Sequence, residues 1–178
     1  MPPPDAIAGV LQRMSRVALV NKEDVQNRLV EFFLAALGWR LYATNTQVWL
    51  LLTEPMAALW GLPSAQMKRD YVLSAGGSEV VQMETRHKWR RYAVDLDTFL
   101  GRINEDDWED TRREGPNKDL ALLLWGARAG GAKRAALIDD QRLLVFEWDG
   151  AWRRAGEVDL FVDSFERVYS VFGLLSPP

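Results

Sequence analysis

Apolar residues recur along this chain first at helical and then at strand spacing, and the changes of period mark out the elements. Val25, Leu29, Phe32, Phe33, Ala36 and Leu37 fall on one helical stripe. With Asn21 as N-cap, Asp24 in the first turn and Gly38 just past the end, they predict a core-packing helix from 21 to about 37. A shorter helix is predicted over 6–17, after the proline run Pro2 to Pro4.

Period-two runs over 39–43 and 47–52 predict a hairpin turning at Thr44, Asn45 and Thr46. A helical turn over 56–60 precedes a second hairpin, 71–74 with 79–84, whose Gly76 and Gly77 supply positive φ. A strand over 89–94, a short helix over 97–103 and an apolar helix over 118–129 follow, the last stopped by Gly130 and Gly131. Three strands over 135–138, 142–148 and 151–158 come next, the last two joined through Asp149-Gly150. Ser164 caps a final helix carrying Phe165, Val168, Tyr169 and Phe172.

This order predicts an α+β fold: a mostly antiparallel sheet with helices packed on one face, in a single domain. The expected divisions are a loosely ordered segment or short helix over 1–20, the domain over 21–174 and a flexible tail over 175–178.

Composition narrows the function. With 178 residues, 48% of them hydrophobic, the chain suffices for one core. Its 22 basic and 25 acidic residues give a net charge of -3, so attraction to nucleic acid must come from a local patch. Cysteine is absent, excluding disulfide frameworks, thiolate nucleophiles and Cys-ligated metals. His87 is the single histidine, and no G-x-S-x-G elbow accompanies it. The N-terminus carries no basic, apolar and small-residue pattern of an export signal, and the most apolar stretch, 48–62, is broken by Glu54 and Pro55. A cytoplasmic protein without membrane contact is expected.

Neither glycine pair supplies a nucleotide-binding fingerprint, and Glu105, Asp106, Asp107, Glu109 and Asp110 lack the spacing of a calcium loop. No cofactor, catalytic residue or metal ligand is therefore assigned. One carboxylate pattern stands apart. Asp70, Glu84 and Arg86 resemble the Asp and Glu-x-Lys arrangement of the restriction-endonuclease-like superfamily. That resemblance spans 31–86, with Glu31 as an extension. It implies carboxylates holding a divalent metal, and a lysine positioning the attacking water, in a metal-dependent nuclease. Arg86 replaces that lysine, and a guanidinium cannot serve as a base. Convergence of Asp70 and Glu84 within metal-coordinating reach would favour this reading sharply, and their separation across the sheet would end it.

Two charged runs suggest binding instead. Read as a strand, Arg86, Lys88 and Arg90 share one face opposite His87 and Trp89, a stripe suited to an acidic partner or a phosphate backbone. Asp106, Asp107, Glu109 and Asp110 surround Trp108, and Trp148 and Trp152 add to an unusual total of eight tryptophans. Exposed tryptophans between complementary charges suit protein recognition. Leu62-Pro63, Tyr71, Ala75-Gly76-Gly77 and the run from Asp163 to Glu166 also resemble a class of small domains, many of them immunity proteins in bacterial toxin systems. The leading expectation is thus a protein-binding domain such as an immunity protein, inhibitor or secretion chaperone. A metal-dependent nuclease and a nucleic-acid-binding module are the alternatives.

Overall fold

The computed structural model describes residues 2–40, 44–62, 65–89, 94–113 and 115–178. Helix α1 (Pro4–Met14) opens the chain, with proline in the first turn, where its missing N–H costs nothing. Asn21 then accepts from the amide of Asp24 and starts α2 (Lys22–Asp24), which runs through a π-helical stretch (Val25–Val30) into α3 (Glu31–Ala36). The stripe read from the sequence is thus one helical segment with a wide turn in its middle.

Six strands form one sheet in the order β1 (Thr44–Leu51), β2 (Gln66–Ala75), β3 (Ser78–Thr85), β4 (Arg134–Ile138), β5 (Arg142–Trp148) and β6 (Trp152–Asp159). All neighbours are antiparallel except β3 and β4, which run parallel. A parallel pair needs a long crossover. Here it contains α5 (Leu96–Asn104), a 3₁₀ turn (Glu109–Thr111) and α6 (Pro116–Gly130). Gly76 and Gly77, at φ 60° and 81°, close the β2–β3 hairpin, and Asp139 accepts from the amides of Gln141 and Arg142 to turn β4 into β5. Helix α7 (Phe165–Gly173) begins at Ser164, whose side chain accepts from Arg167.

The fold is a single α+β domain built on a mostly antiparallel sheet, as the pattern predicts, but the helices cover two faces where one was expected. Tyr71, Leu73, Val81, Met83, Ile138 and Val145 meet α1, the Val25–Val30 stretch, α3 and α7, with Phe33 stacked on Phe172 at 4.0 Å. Ala135, Leu137, Leu144 and Phe146 meet α4 (Glu54–Trp60), α5 and α6 on the other face. The unbroken apolar runs of β4 and β5 are the mark of strands buried on both sides.

Three local expectations change. Thr44, Asn45 and Thr46 lie in β1, not in a turn; the predicted strand over 39–43 leaves Trp39 buried outside the sheet, while 41–43 lie outside the described residues. No strand occupies 86–89, where Lys88 takes φ 60°, and 90–93 lie outside the described residues. Leu175, assigned to a tail, is fully buried, and its carbonyl accepts from the Trp39 indole at 2.8 Å. Among the described residues no helix is long and apolar enough to cross a membrane.

Candidate functional site

Asp70 and Glu84 face one another across the open end of the β2–β3 hairpin, and the Asp70 amide donates to Glu84 Oε1 at 3.2 Å. Both side chains are buried, at 6% and 4% exposure. Asp70 Oδ2 accepts from the amide and hydroxyl of Thr85 at 2.9 and 2.8 Å, and its Oδ1 accepts from Lys22 Nζ at 2.8 Å. Lys22 arrives from the start of α2. Arg86, just past β3, closes the cluster.

One guanidinium nitrogen of Arg86 gathers three oxygens. Its Nη1 lies 2.8 Å from the Thr85 carbonyl, 3.2 Å from Glu84 Oε2 and 3.7 Å from Asp70 Oδ2. Its Nη2 donates to Asp119 Oδ1 at 2.8 Å, so α6 anchors the other half of the fork. Two carboxylates and a main-chain carbonyl therefore converge on a point that a side-chain cation fills.

Burial pushes both acids up, with opposite outcomes. At Asp70 the hydrogen bonds from Lys22 and Thr85 outweigh burial and hold the carboxyl below its ordinary range. At Glu84 burial and the Asp70 charge together outweigh Arg86 and Lys22, and the carboxyl is pushed up to about 8. Of the two, Glu84 is the carboxyl that burial and its neighbour's charge push towards the protonated form. Burial alone would lower the Arg86 pKa, but Asp119, Glu84 and Asp70 raise it further, so the guanidinium stays charged. Glu31 lies exposed on α3, where its charge acts on buried Tyr71.

A hollow of about 340 Å³ opens beside this cluster, lined by Trp49, Leu62, Gln66, Met67, Lys68, Glu84, Arg86 and Leu122. Spacing alone revealed Asp70, Glu84 and Arg86. Lys22, Asp119 and the Thr85 carbonyl were missed, because each comes from a helix start or a backbone atom that nothing in the local sequence links to the carboxylates. Among the described residues no three His, Asp or Glu side chains form a metal cage.

The residues expected to bind a partner are mostly turned inward or paired. Trp89, Trp108 and Trp152 are buried, at 1%, 6% and 2% exposure, which overturns their expected surface role. Trp108 packs edge-on against Trp60 at 6.0 Å and donates to Asp106, while half-buried Trp148 lies on Trp152 and under the Arg128 guanidinium. Arg102 binds Asp107 and Asp110, and Arg112 binds Glu109, so the acidic run largely carries its own counterions. Arg86 points into the ion cluster instead of solvent, Lys88 is exposed, and Arg90 lies outside the described residues. Aromatic burial is decided by which elements cross, and composition carries no record of that.

Compared with protein-family models, with characterised proteins and with solved structures, the chain matches none.

Proposed function

We propose that this domain binds and cleaves nucleic acid as a divalent-cation-dependent phosphodiesterase of the restriction-endonuclease-like kind, acting in the cytoplasm. The observation that carries this reading is the convergence of Asp70, Glu84 and the Thr85 carbonyl on Arg86 Nη1. Their donor types fit a hard divalent cation, which takes carboxylate and carbonyl oxygens. Such a cation supplies Lewis acidity towards a phosphoryl oxygen and acidifies bound water.

The chain's own residues divide the remaining work. Asp70, held ionised by Lys22 and Thr85, is the standing anion. Burial and the Asp70 charge favour the protonated form of Glu84, which must be ionised to act as a ligand. Arg86 cannot accept a proton; displaced from the carboxylates, its planar fork suits two phosphate oxygens, and Asp119 keeps one edge anchored. With the whole molecule at net charge -3, and with Lys22 and Arg86 paired to carboxylates, local attraction rests first on exposed Lys68.

The test is cleavage of plasmid and single-stranded DNA and RNA with Mg²⁺ or Mn²⁺, alongside calorimetric titration of each cation. Cation-dependent cleavage is expected, falling about a hundredfold or more in Asp70→Asn and Glu84→Gln. Absence of both cleavage and cation binding overturns the reading.

Protein binding keeps one specific support. Val20, Phe161 and Val162 are exposed, and the last two help line a hollow of about 440 Å³ with Asp140 and Asp159. If that surface holds a partner, Val162→Asp abolishes its stoichiometric copurification while leaving cleavage intact.

A further inference from the structure

We propose that the hollow beside β1 receives one unstacked nucleobase on the indole of Trp49, making single-stranded nucleic acid the preferred substrate class. This rests on the phosphodiesterase reading and extends it from the reacting phosphate to the neighbouring base.

Trp49 is the one tryptophan left open. It is 59% exposed, whereas Trp39, Trp60, Trp89, Trp108 and Trp152 are all buried, and Trp125 and Trp148 are half-buried against Trp60 and Trp152. Among the described residues Trp49 has no aromatic, cationic or hydrogen-bonded partner. A large apolar ring left in water on a strand at the sheet edge is a surface without an occupant.

The surroundings select the occupant. Leu62, Met67 and Leu122 give the hollow apolar walls, while Gln66 offers an amide able to donate and accept. Lys68 stands directly across from Trp49 in the β1–β2 register, is exposed, and has no acidic partner among the described residues. Arg86 reaches the same hollow from the ion cluster. A planar ring with Lys68 directly across from it, a polar edge and an apolar floor suits a base whose phosphate lies beside that cation. A volume of about 340 Å³ lies at the small end of ligand sites and suits one base better than a helix. A base within a duplex has both π-faces covered by its neighbours, so it must leave the stack to reach Trp49.

Binding is measured by anisotropy of a labelled oligothymidine and of a duplex of equal length, with divalent cations chelated so that cleavage cannot intervene. The single strand is expected to bind more tightly than the duplex. Trp49→Ala is expected to weaken it about tenfold while Trp49→Phe retains most of the affinity, because stacking needs a π-face. Circular dichroism checks that both variants fold. Equal affinity for strand and duplex, or undiminished binding by Trp49→Ala, overturns the proposal. So does a Trp49-dependent dimer in sedimentation with no oligonucleotide binding, since the edge is then filled by a second copy. The two readings fail separately: Trp49-dependent strand binding without cleavage upholds the base site and removes the chemistry. Cleavage that ignores Trp49→Ala upholds the chemistry and removes the base site.

Discussion

Glu84 ties the stability of the fold to pH through a proton that the unfolded chain releases far earlier. Its carboxyl is pushed from an ordinary value of 4.5 up to about 8, first by burial and then by Asp70. Between those values the folded state holds a proton that the unfolded state has lost, so stability falls as pH rises through that window. Asp70 works in the opposite sense: its lowered pKa contributes stability above its ordinary value of 3.8, lost as pH falls below it. Glu84→Gln keeps an acceptor for the Asp70 amide but cannot ionise. Thermal unfolding of the wild type should therefore weaken from about pH 5 to pH 8, while the variant stays nearly level; a variant with the wild-type slope assigns the proton elsewhere. Arg86 and Lys22 differ in consequence. Arg86 is mostly enclosed and touches three carboxylates, so Arg86→Gln should cost about 3–5 kcal/mol in urea unfolding. Lys22, with its side chain 42% exposed, should cost about 1 kcal/mol or less as Gln. The reverse ranking would place the structural weight of the cluster on α2.

At the scale of elements, the close fit of α6 to the sheet turns on Gly126. A Cβ there would stand 2.8 Å and 2.9 Å from the amide atoms of Gln82 and 2.9 Å from the Met67 methyl. Gln82 is fully buried, so its amide can yield only by displacing core neighbours. Alanine gains about 1 kcal/mol of helix propensity, but overpacking costs about 1–3 kcal/mol, so Gly126→Ala should be destabilising in chemical denaturation. A stabilised variant would mean that α6 can move off β3. The elements most legible in the sequence were those with local punctuation: Asn21 and Ser164 at helix starts, Gly76-Gly77 and Asp149-Gly150 at hairpins. What escaped was non-local. Thr44 to Thr46 have turn-like chemistry but pair with β2, and the parallel alignment of β3 with β4 is fixed by the 48 residues between Thr85 and Arg134. The candidate site divides the same way: the spacing of Asp70, Glu84 and Arg86 survives as geometry because a hairpin brings it about, while Lys22 and Asp119 enter from separate helices.

Across the whole molecule, the two ends of the described chain hold each other. The Trp39 indole donates to the Leu175 carbonyl at 2.8 Å, the Tyr169 hydroxyl donates to the Pro2 carbonyl at 2.6 Å, and Phe33 lies on Phe172. Removing 175–178 takes away a fully buried leucine and leaves a buried indole N–H without an acceptor. These losses are about 1.5–3 and 1–3 kcal/mol. The shortened chain should thus unfold at least about 2.5 kcal/mol more easily in urea; unchanged stability would show that Trp39 finds another acceptor. The same closure sets a timetable during synthesis. Trp39 and Leu175 are separated by 136 positions. At about 5–20 residues per second, the ribosome needs roughly 7–27 s to make the second after the first. Until α7 has been made, the apolar stripe of the N-terminal helices lacks the α7 surface it packs against. The nascent chain should consequently need a holding chaperone most in its first half, and a stalled ribosome would display a hydrophobic helix that the finished protein conceals.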